Sequence, residues 1–460
     1  MTSRMDLYST FFRKVLYPGW ESKLRGRPTL ERLAYLEQTQ WRSLDELEAQ
    51  READLRKLVR HAFEHVPFYR ERFARAGVSA DDVRTVDDLR KLPMMTRADA
   101  RDTLEARASE VEPKPRIRKT TGGTTGQPLL FGYDADSEYW RQAIKLRGYG
   151  WAGYRLGDRT LHYWGAPTRP LPPWKVRAKV FVDRYVKREH YVNCTLRSER
   201  HMRQVAAHIR WYKPRAILCY TQAGADLARF IVENDLRGWD TIPVLCCAER
   251  LFPEDRARLE QAFGPAVFET YGCREVMLIG TECDAHDGLH VSAENLIVEV
   301  VVTEQNGSQR PAAPGETGEI VLTDLHNYGM PFIRYANGDL AIAGKAERCA
   351  CGRTLPRLAA VDGRSAETLR DGQGNRVGGL VFNLIFSVLA QTVRQFQAVQ
   401  HKDGSITLKL VPTSALDATA REHIRKNCAQ YLKGVEIKTE IVSEIPVSRS
   451  GKRQVVIVER

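Results

Sequence analysis

Apolar residues recur at three- and four-residue intervals at Leu44, Leu47, Leu55, Leu58, Val59, Ala62, Phe63 and Val66. That period predicts an amphipathic helix over residues 43–66, opened by a capping box between Ser43 and Glu46. His61 and His65 fall among its polar positions and read as solvated side chains. From about residue 200 the pattern alternates. Helical periods over 200–212, 224–234 and 254–263 are interleaved with short apolar runs over 216–220, 243–247 and 266–270, and Lys213-Pro214 breaks the first helix. Such alternation predicts an α/β domain with a mainly parallel sheet, whose ligands gather where strands end. Residues 292–343 change to β-branched runs with Gly-bearing turns and predict a β subdomain. After Asp362-Gly363-Arg364 the order resets: an apolar helical stretch near 380–389, a hairpin signal at Asp403-Gly404, and a helix over 418–432 with Asp417 as N-cap. The expected organisation is a large N-terminal α/β domain over 1–362 and a small, mobile α+β domain over 363–460.

Composition narrows the classes. A chain of 460 residues fits two domains, and no repeat or low-complexity tract is present. The first 17 residues mix Arg4, Asp6, Arg13 and Lys14 with short apolar runs. They lack both the apolar core of a signal peptide and the roughly 18 apolar residues of a membrane span, so the cytoplasm is the expected location. The formal charge is +12, but Lys and Arg alternate with acids, as over residues 51–60, which argues against a nucleic-acid surface. An anionic small-molecule substrate accounts for part of the excess. Nine cysteines are irregularly placed except for Cys349 and Cys351. In a reducing compartment these read as metal ligands sooner than as a disulfide framework.

The densest chemical signal is Thr121-Gly122-Gly123-Thr124-Thr125-Gly126-Gln127-Pro128, set between a basic extended stretch and Leu129-Leu130-Phe131. Glycines let backbone N–H groups turn toward a phosphate, and threonine hydroxyls add donors. No Gly-Lys-Ser/Thr closes the segment, so it is not a Walker loop. The segment resembles the phosphate-binding loop of the adenylate-forming superfamily, with Gln127 where a Lys is common.

Further motifs follow in that superfamily's order and resemble its phenylacetate-CoA ligase-like family, which includes capsule-locus members. His65-Val-Pro-Phe-Tyr-Arg70 and Leu92-Pro-Met-Met-Thr-Arg97 resemble amino-terminal signatures to which we assign a structural role. Cys247-Ala248-Glu249-Arg250 is similar to the Gly-Gly-Glu segment beside the adenine, with Ala248 departing from Gly. Glu269-Thr-Tyr271-Gly272-Cys-Arg-Glu275 resembles the Tyr-Gly-x-x-Glu motif, which implies Tyr271 against the adenine and acyl pockets and Glu275 as a Mg2+ ligand. A divalent cation is needed to offset triphosphate charge as a carboxylate approaches. Gly315-Glu-Thr-Gly-Glu319 and Arg334-Tyr-Ala-Asn337-Gly-Asp339 resemble segments that imply Asp339 as acceptor of the ribose hydroxyls, with Asn337 in place of Thr. Asp362-Gly-Arg364-Ser resembles the hinge, with Arg364 near ribose or phosphates.

Ile445-Pro-Val-Ser-Arg-Ser-Gly-Lys452 resembles the carboxy-terminal loop whose lysine bridges carboxylate and α-phosphate, which implies Lys452 and Glu275 as the catalytic pair. The resemblance implies an enzyme that uses ATP and Mg2+ to activate a small, aromatic carboxylic acid and passes the acyl group to coenzyme A. An amine or carrier protein as acceptor, a degenerate ATP-binding regulator, and a homodimer all stay open. A zinc-containing nucleic-acid-binding protein would leave the Gly/Thr loop and Lys452 unexplained. Apart from these motifs, Cys283, His286, Cys349 and Cys351 supply four ligands of the types tetrahedral zinc takes. His290 could replace His286, because spacing does not choose between them.

Overall fold

The computed structural model describes residues 6–459 apart from 121–128, 166–172, 197, 305, 346, 365–368, 374–375, 378–381, 383–384, 387–388, 390–391 and 447–453. The amphipathic helix forms as Leu44–His65. Ser43 accepts from the Glu46 N–H at 3.2 Å while the Glu46 carboxylate accepts from the Ser43 N–H at 2.9 Å, which satisfies two donors of the first turn. Its stripe of Leu47, Leu55, Leu58, Val59 and Ala62 is buried. His61 is not solvated. Its Nε2 lies 3.0 Å from the Tyr328 carbonyl and its ring meets Tyr328 edge-on, and burial lowers its pKa. Tyr328 is 267 residues away, so helical spacing could not reveal this neighbour.

Twelve strands form one hydrogen-bonded sheet. A hairpin of β1 (Ile117–Thr120) and β2 (Leu130–Tyr133) stands apart from it, pairing Thr120 with Leu130 across the Gly/Thr segment. In chain order the sheet holds β3 (Thr160–Trp164), β4 (Glu189–Asn193), β5 (Ala216–Tyr220), β6 (Val244–Cys247), β7 (Val267–Cys273), β8 (Met277–Glu282), β9 (Leu289–Val291), β10 (Leu296–Thr303), β11 (Gln309–Pro311), β12 (Thr317–Asp324), β13 (Tyr335–Ala343) and β14 (Arg357–Arg364). Their spatial order is β11-β10-β12-β13-β14-β9-β8-β7-β6-β5-β3-β4. Only the end from β4 to β7 is parallel, and the rest is antiparallel.

The expected α/β domain with a β stretch is present, but the sheet expected to be mainly parallel is mixed, and the β stretch continues it. The reason is β7, which pairs parallel with β6 on one edge and antiparallel with β8 on the other. A tight return from β7 to β8 needs no crossover helix, so the change of pattern along the chain does not divide the sheet.

The helices Glu199–Tyr212, Thr221–Glu233 and Pro253–Phe263 pack on the parallel end around Leu227, Ile231, Val244, Cys246 and Leu259. Beyond Arg364, a second core gathers Leu369, Phe382, Ala398, Leu408, Ile424 and Val456. It lies among the short ribbon β15 (Leu369–Arg370) and β16 (Arg376–Val377), the sheet of β17 (Val393–Gln400), β18 (Ile406–Pro412), β19 (Ile437–Ile441) and β20 (Val456–Val458), and the helix Ala418–Tyr431. Asp417 caps that helix by accepting from the Ala420 N–H at 2.7 Å, and the hairpin at Asp403-Gly404 joins β17 to β18.

The helix Ala135–Trp151 is not foreseen from the sequence, because Arg141 and Arg147 interrupt its apolar face. Both are buried. Arg147 pairs with Glu294, each side chain 1 % exposed. Arg141 donates to Ser137 Oγ at 3.0 Å, the Glu275 carbonyl at 2.6 Å and Asp324 Oδ2 at 2.8 Å, and lies 4.2 Å from the Tyr133 ring centre. Backbone constraint adds to this. Ala248 is held at φ 68°, a left-handed conformation costly for any residue with a Cβ. Gly272 has no room for one, since an added Cβ would stand 2.1 Å from the Met277 carbonyl oxygen.

Replacing Arg141 by Leu is expected to destabilise the fold by about 3–5 kcal/mol, because Asp324 would stay buried without its counter-charge. Urea unfolding measures it, and a loss under about 1 kcal/mol would mean that the network closes without the guanidinium. Ala248→Gly is expected to stabilise by about 0.5–1 kcal/mol and Gly272→Ala to destabilise by more than that, read as thermal shifts of opposite sign.

Candidate functional site

Segments after β6, at the end of β7 and within β13 converge. A bulge between Tyr271 and Gly272 ends the regular pairing of β7 with β8 and starts the turn that carries Glu275. Tyr271 donates its hydroxyl to Asp339 Oδ2 at 2.7 Å. Burial, reinforced by the neighbouring Asp339 carboxylate, pushes the Tyr271 phenol well above its ordinary pKa, so it stays a donor. Asn337 donates to the same Asp339 oxygen at 2.9 Å and to the Tyr271 hydroxyl at 2.8 Å, while its side-chain Oδ1 accepts from the Asp339 N–H at 3.0 Å. The residue that departs from the family pattern thus fixes the rotamer of the acid. In sequence Asn337 reads only as a departure, because a bond across two residues of β13 depends on how the strand turns.

Glu275 is buried beside this group. Its Oε1 accepts from Arg97 at 3.0 Å and from the Tyr335 hydroxyl at 3.1 Å. Arg97 ends the Leu92–Arg97 motif, to which a structural role was assigned. The basic residue closing that motif was the available signal, but nothing in sequence places it against an acid 178 residues away. Arg274 donates to the Thr120 carbonyl at 2.7 Å, so the mouth of the β1–β2 hairpin lies against the turn that bears Glu275. Thr121, Gly122, Gly123, Thr124, Thr125 and Gly126 themselves lie outside the described residues.

On the other side, the segment after β6 is pinned at each residue. Glu249 accepts from the Gln222 N–H at 3.1 Å, at the start of the helix Thr221–Glu233. Its carbonyl accepts from Thr221 Oγ1 at 2.8 Å. Leu251 donates its N–H to Glu269 Oε1 at 3.0 Å, and burial pushes the Glu269 carboxyl up to about 7. Arg250 pairs with Asp362 at 3.2 Å, which ties this loop to the segment expected to be the hinge. β14 still pairs with β13 there, with Asp339 opposite Arg364 and Leu340 opposite Gly363. The structure thus brings together Ala248, Glu249, Arg250, Tyr271, Gly272, Glu275, Asp339 and the backbone of Arg364. Lys452 lies outside the described residues.

Elsewhere, Cys283, His290, Cys349 and Cys351 hold their ligand atoms within 4.8 Å of one another. Cys283 and Cys349 sulfurs are 3.7 Å apart, and Cys351 Sγ is 3.4 Å from His290 Nε2. His290 Nδ1 lies 3.2 Å from the Leu355 carbonyl, which leaves Nε2 facing the thiols. Of the two histidines that spacing leaves open, His290 stands with the cysteines and His286 does not. His286 sits at φ 51°, in the left-handed region, and turns its Nδ1 to Glu282 at 3.1 Å beside Arg256, whereas β9 aims His290 inward. Trp140 stacks on His326, and Trp151 packs against His290 and Arg353, so both indoles serve packing.

Residues 369–459 match the CapK C-terminal domain. Over 355 residues the chain is 29 % identical to the phenylacetate-coenzyme A ligase of Escherichia coli K12, covering 71 % of this chain and 73 % of that protein. It is 24 % identical over 441 residues to the phenylacetate-coenzyme A ligase of Thermus thermophilus, covering 89 % and 95 %. The fold is that of 2-hydroxyisobutyryl-CoA ligase in its postadenylation state, with a TM-score of 0.72 over 91 % of each chain at 20 % identity. With its motifs in order along the chain, the protein is similar to phenylacetate-coenzyme A ligases over most of its length, and its carboxy-terminal residues match the CapK C-terminal domain.

Proposed function

We propose that the protein uses ATP to activate a small carboxylic acid as its acyl-AMP and then forms the coenzyme A thioester. The observation that carries this reading is the Tyr271–Asn337–Asp339 group, which holds one carboxylate in a fixed rotamer next to the buried Glu275. A preset carboxylate of that kind suits a pair of ribose hydroxyls. The adenine would lie along Ala248-Glu249-Arg250, whose backbone is fixed by its bonds to Thr221 and Gln222.

Glu275 is the residue that would hold Mg2+. Its side chain is 3 % exposed and pairs with Arg97, which the ion would have to displace or share the carboxylate with. The ion would offset triphosphate charge. A carboxylate oxygen attacks the α-phosphorus and pyrophosphate leaves. The thiol sulfur then attacks the acyl carbon, AMP leaves, and the thiol proton passes to solvent. Lys452 is assigned to the charge shared between carboxylate and phosphate in the first step. We place the boundary between the two domains at 362/363 and their rotation at Arg364. Gly363, at φ 103°, adopts a backbone conformation that other residues resist. An aromatic acid and a cytoplasmic location are part of the same proposal.

The Cys283, His290, Cys349 and Cys351 group is proposed as a structural zinc site. Tetrahedral zinc with Zn–S bonds near 2.3 Å separates two sulfurs by about 3.8 Å, close to the 3.7 Å between Cys283 and Cys349. The ion would clamp the ends of β8 and β9 to the loop before β14.

With ATP, Mg2+ and a panel of aryl and short aliphatic acids, pyrophosphate release is expected to depend on the acid, and added coenzyme A is expected to give thioester. Lys452→Ala should lower the rate by about 10²–10³-fold. Background release with every acid, while ATP still binds, would favour the regulator instead. For the metal, elemental analysis is expected to find zinc in the purified protein and in His286→Ala but not in His290→Ala. The reverse pattern would restore His286 as ligand.

A further inference from the structure

The connection between β3 and β4 departs from what such a crossover normally does. A helix joining parallel strands buries its apolar stripe on the sheet. Here the helix Pro173–Phe181 continues into the π-helical turn Val182–Val186, and every residue from Trp174 to Val182 is exposed. Trp174, Phe181 and Tyr185 are spaced seven and four residues apart, which puts them on one face. They are 67, 58 and 61 % exposed, and the Phe181 and Tyr185 rings lie 5.2 Å apart. The turn itself is fixed. Asp183 is buried and holds both Lys179 and Lys187, and the Tyr8 hydroxyl donates to the Val186 carbonyl at 2.6 Å.

A second exposed apolar stretch joins it there. The Arg188–Asp6 ion pair and the Arg188 guanidinium over the Tyr8 ring dock the amino-terminal helical segment against the same turn. That segment shows Leu7, Phe11, Trp20 and Leu24 to solvent. Twelve of the twenty exposed large hydrophobic side chains among the described residues fall in these two stretches, so the exposure is concentrated and not scattered.

The charge around them is mostly positive. Lys175, Arg177, Lys179, Arg184, Lys187 and Arg188 accompany the connection, against Asp183 alone. The amino-terminal stretch adds Arg13, Lys14, Lys23, Arg25 and Arg27, against Asp6 and Glu21. We propose that this face is a peripheral docking surface for an anionic lipid bilayer. Aromatic side chains flanked by Lys and Arg suit the boundary between headgroups and acyl chains, where ring and cation are both satisfied. A protein partner fits less well, because the cores of protein interfaces are depleted in the lysines that flank these rings. Two copies of the chain would bring like charges together. No described helix is long and apolar enough to cross a membrane, so the contact is one of adsorption.

The test sediments the full chain with vesicles of phosphatidylcholine, with and without phosphatidylglycerol. Partition is expected to be at least about tenfold stronger to the anionic vesicles and to fall as salt rises. The double variant Trp174→Ser, Phe181→Ser should lose about tenfold in partition with an unchanged circular dichroism spectrum. The readout needs no catalysis, so it stands or falls apart from the proposed reaction. Equal partition to both vesicles, or none to either, would overturn the proposal. So would a wild-type dimer that the double variant converts to monomer, which would make the face an interface between copies.

Discussion

Arg141 is the constraint on which the geometry of the site depends. One guanidinium, fully enclosed, is shared among the start of its own helix, the carbonyl of Glu275 and the carboxylate that ends β12, and it lies over the ring of Tyr133 on β2. Burial raises the Asp324 pKa, and Arg141 is the charge that opposes the shift. A charge so placed is costly unless all its partners are present, so the network behaves as a unit. Its effect is to hold the strand after the Gly/Thr segment, the turn of Glu275 and the β12 end at fixed distances from one another. Loops that arrive from three parts of the chain become one site through it.

The departures from the family pattern acquire physical meaning in that frame. Ala248 occupies a left-handed backbone position where glycine is the unstrained residue, and the loop keeps that conformation because Glu249 and Leu251 beyond it are tied to Gln222 and Glu269. Asn337 supplies two donors and an acceptor to the Asp339 group, more than the threonine it replaces could offer. Neither change dismantles the arrangement of Tyr271, Asp339 and Glu275.

The cysteine and histidine cluster and the exposed basic face illustrate two different uses of core and surface. The four ligand atoms converge from β8, β9 and the loop before β14, where a clamp can stiffen the antiparallel part of the sheet. At the β4 edge of the sheet, apolar side chains that could have covered the edge are turned outward. The fold is tied tightly near the site and left open for contact at its far edge.

The sequence by itself determined the amphipathic helix Leu44–His65 with its capping box, the alternation that builds β5 to β7, the helix capped by Asp417, and the motifs that contain Tyr271, Glu275 and Asp339. These depend on local period, capping chemistry or motif, all of which act over a few residues. Tertiary structure alone decided that the sheet is single and mixed, because the edge on which β7 pairs is not encoded in its own pattern. It also decided that His290 faces the thiols and His286 does not, since a three-residue strand and one left-handed residue aim the two rings apart. Arg97, Arg141 and Tyr335 became visible only when residues more than 50 positions apart met. Burial turns such meetings into strong interactions, and burial is a property of the folded chain.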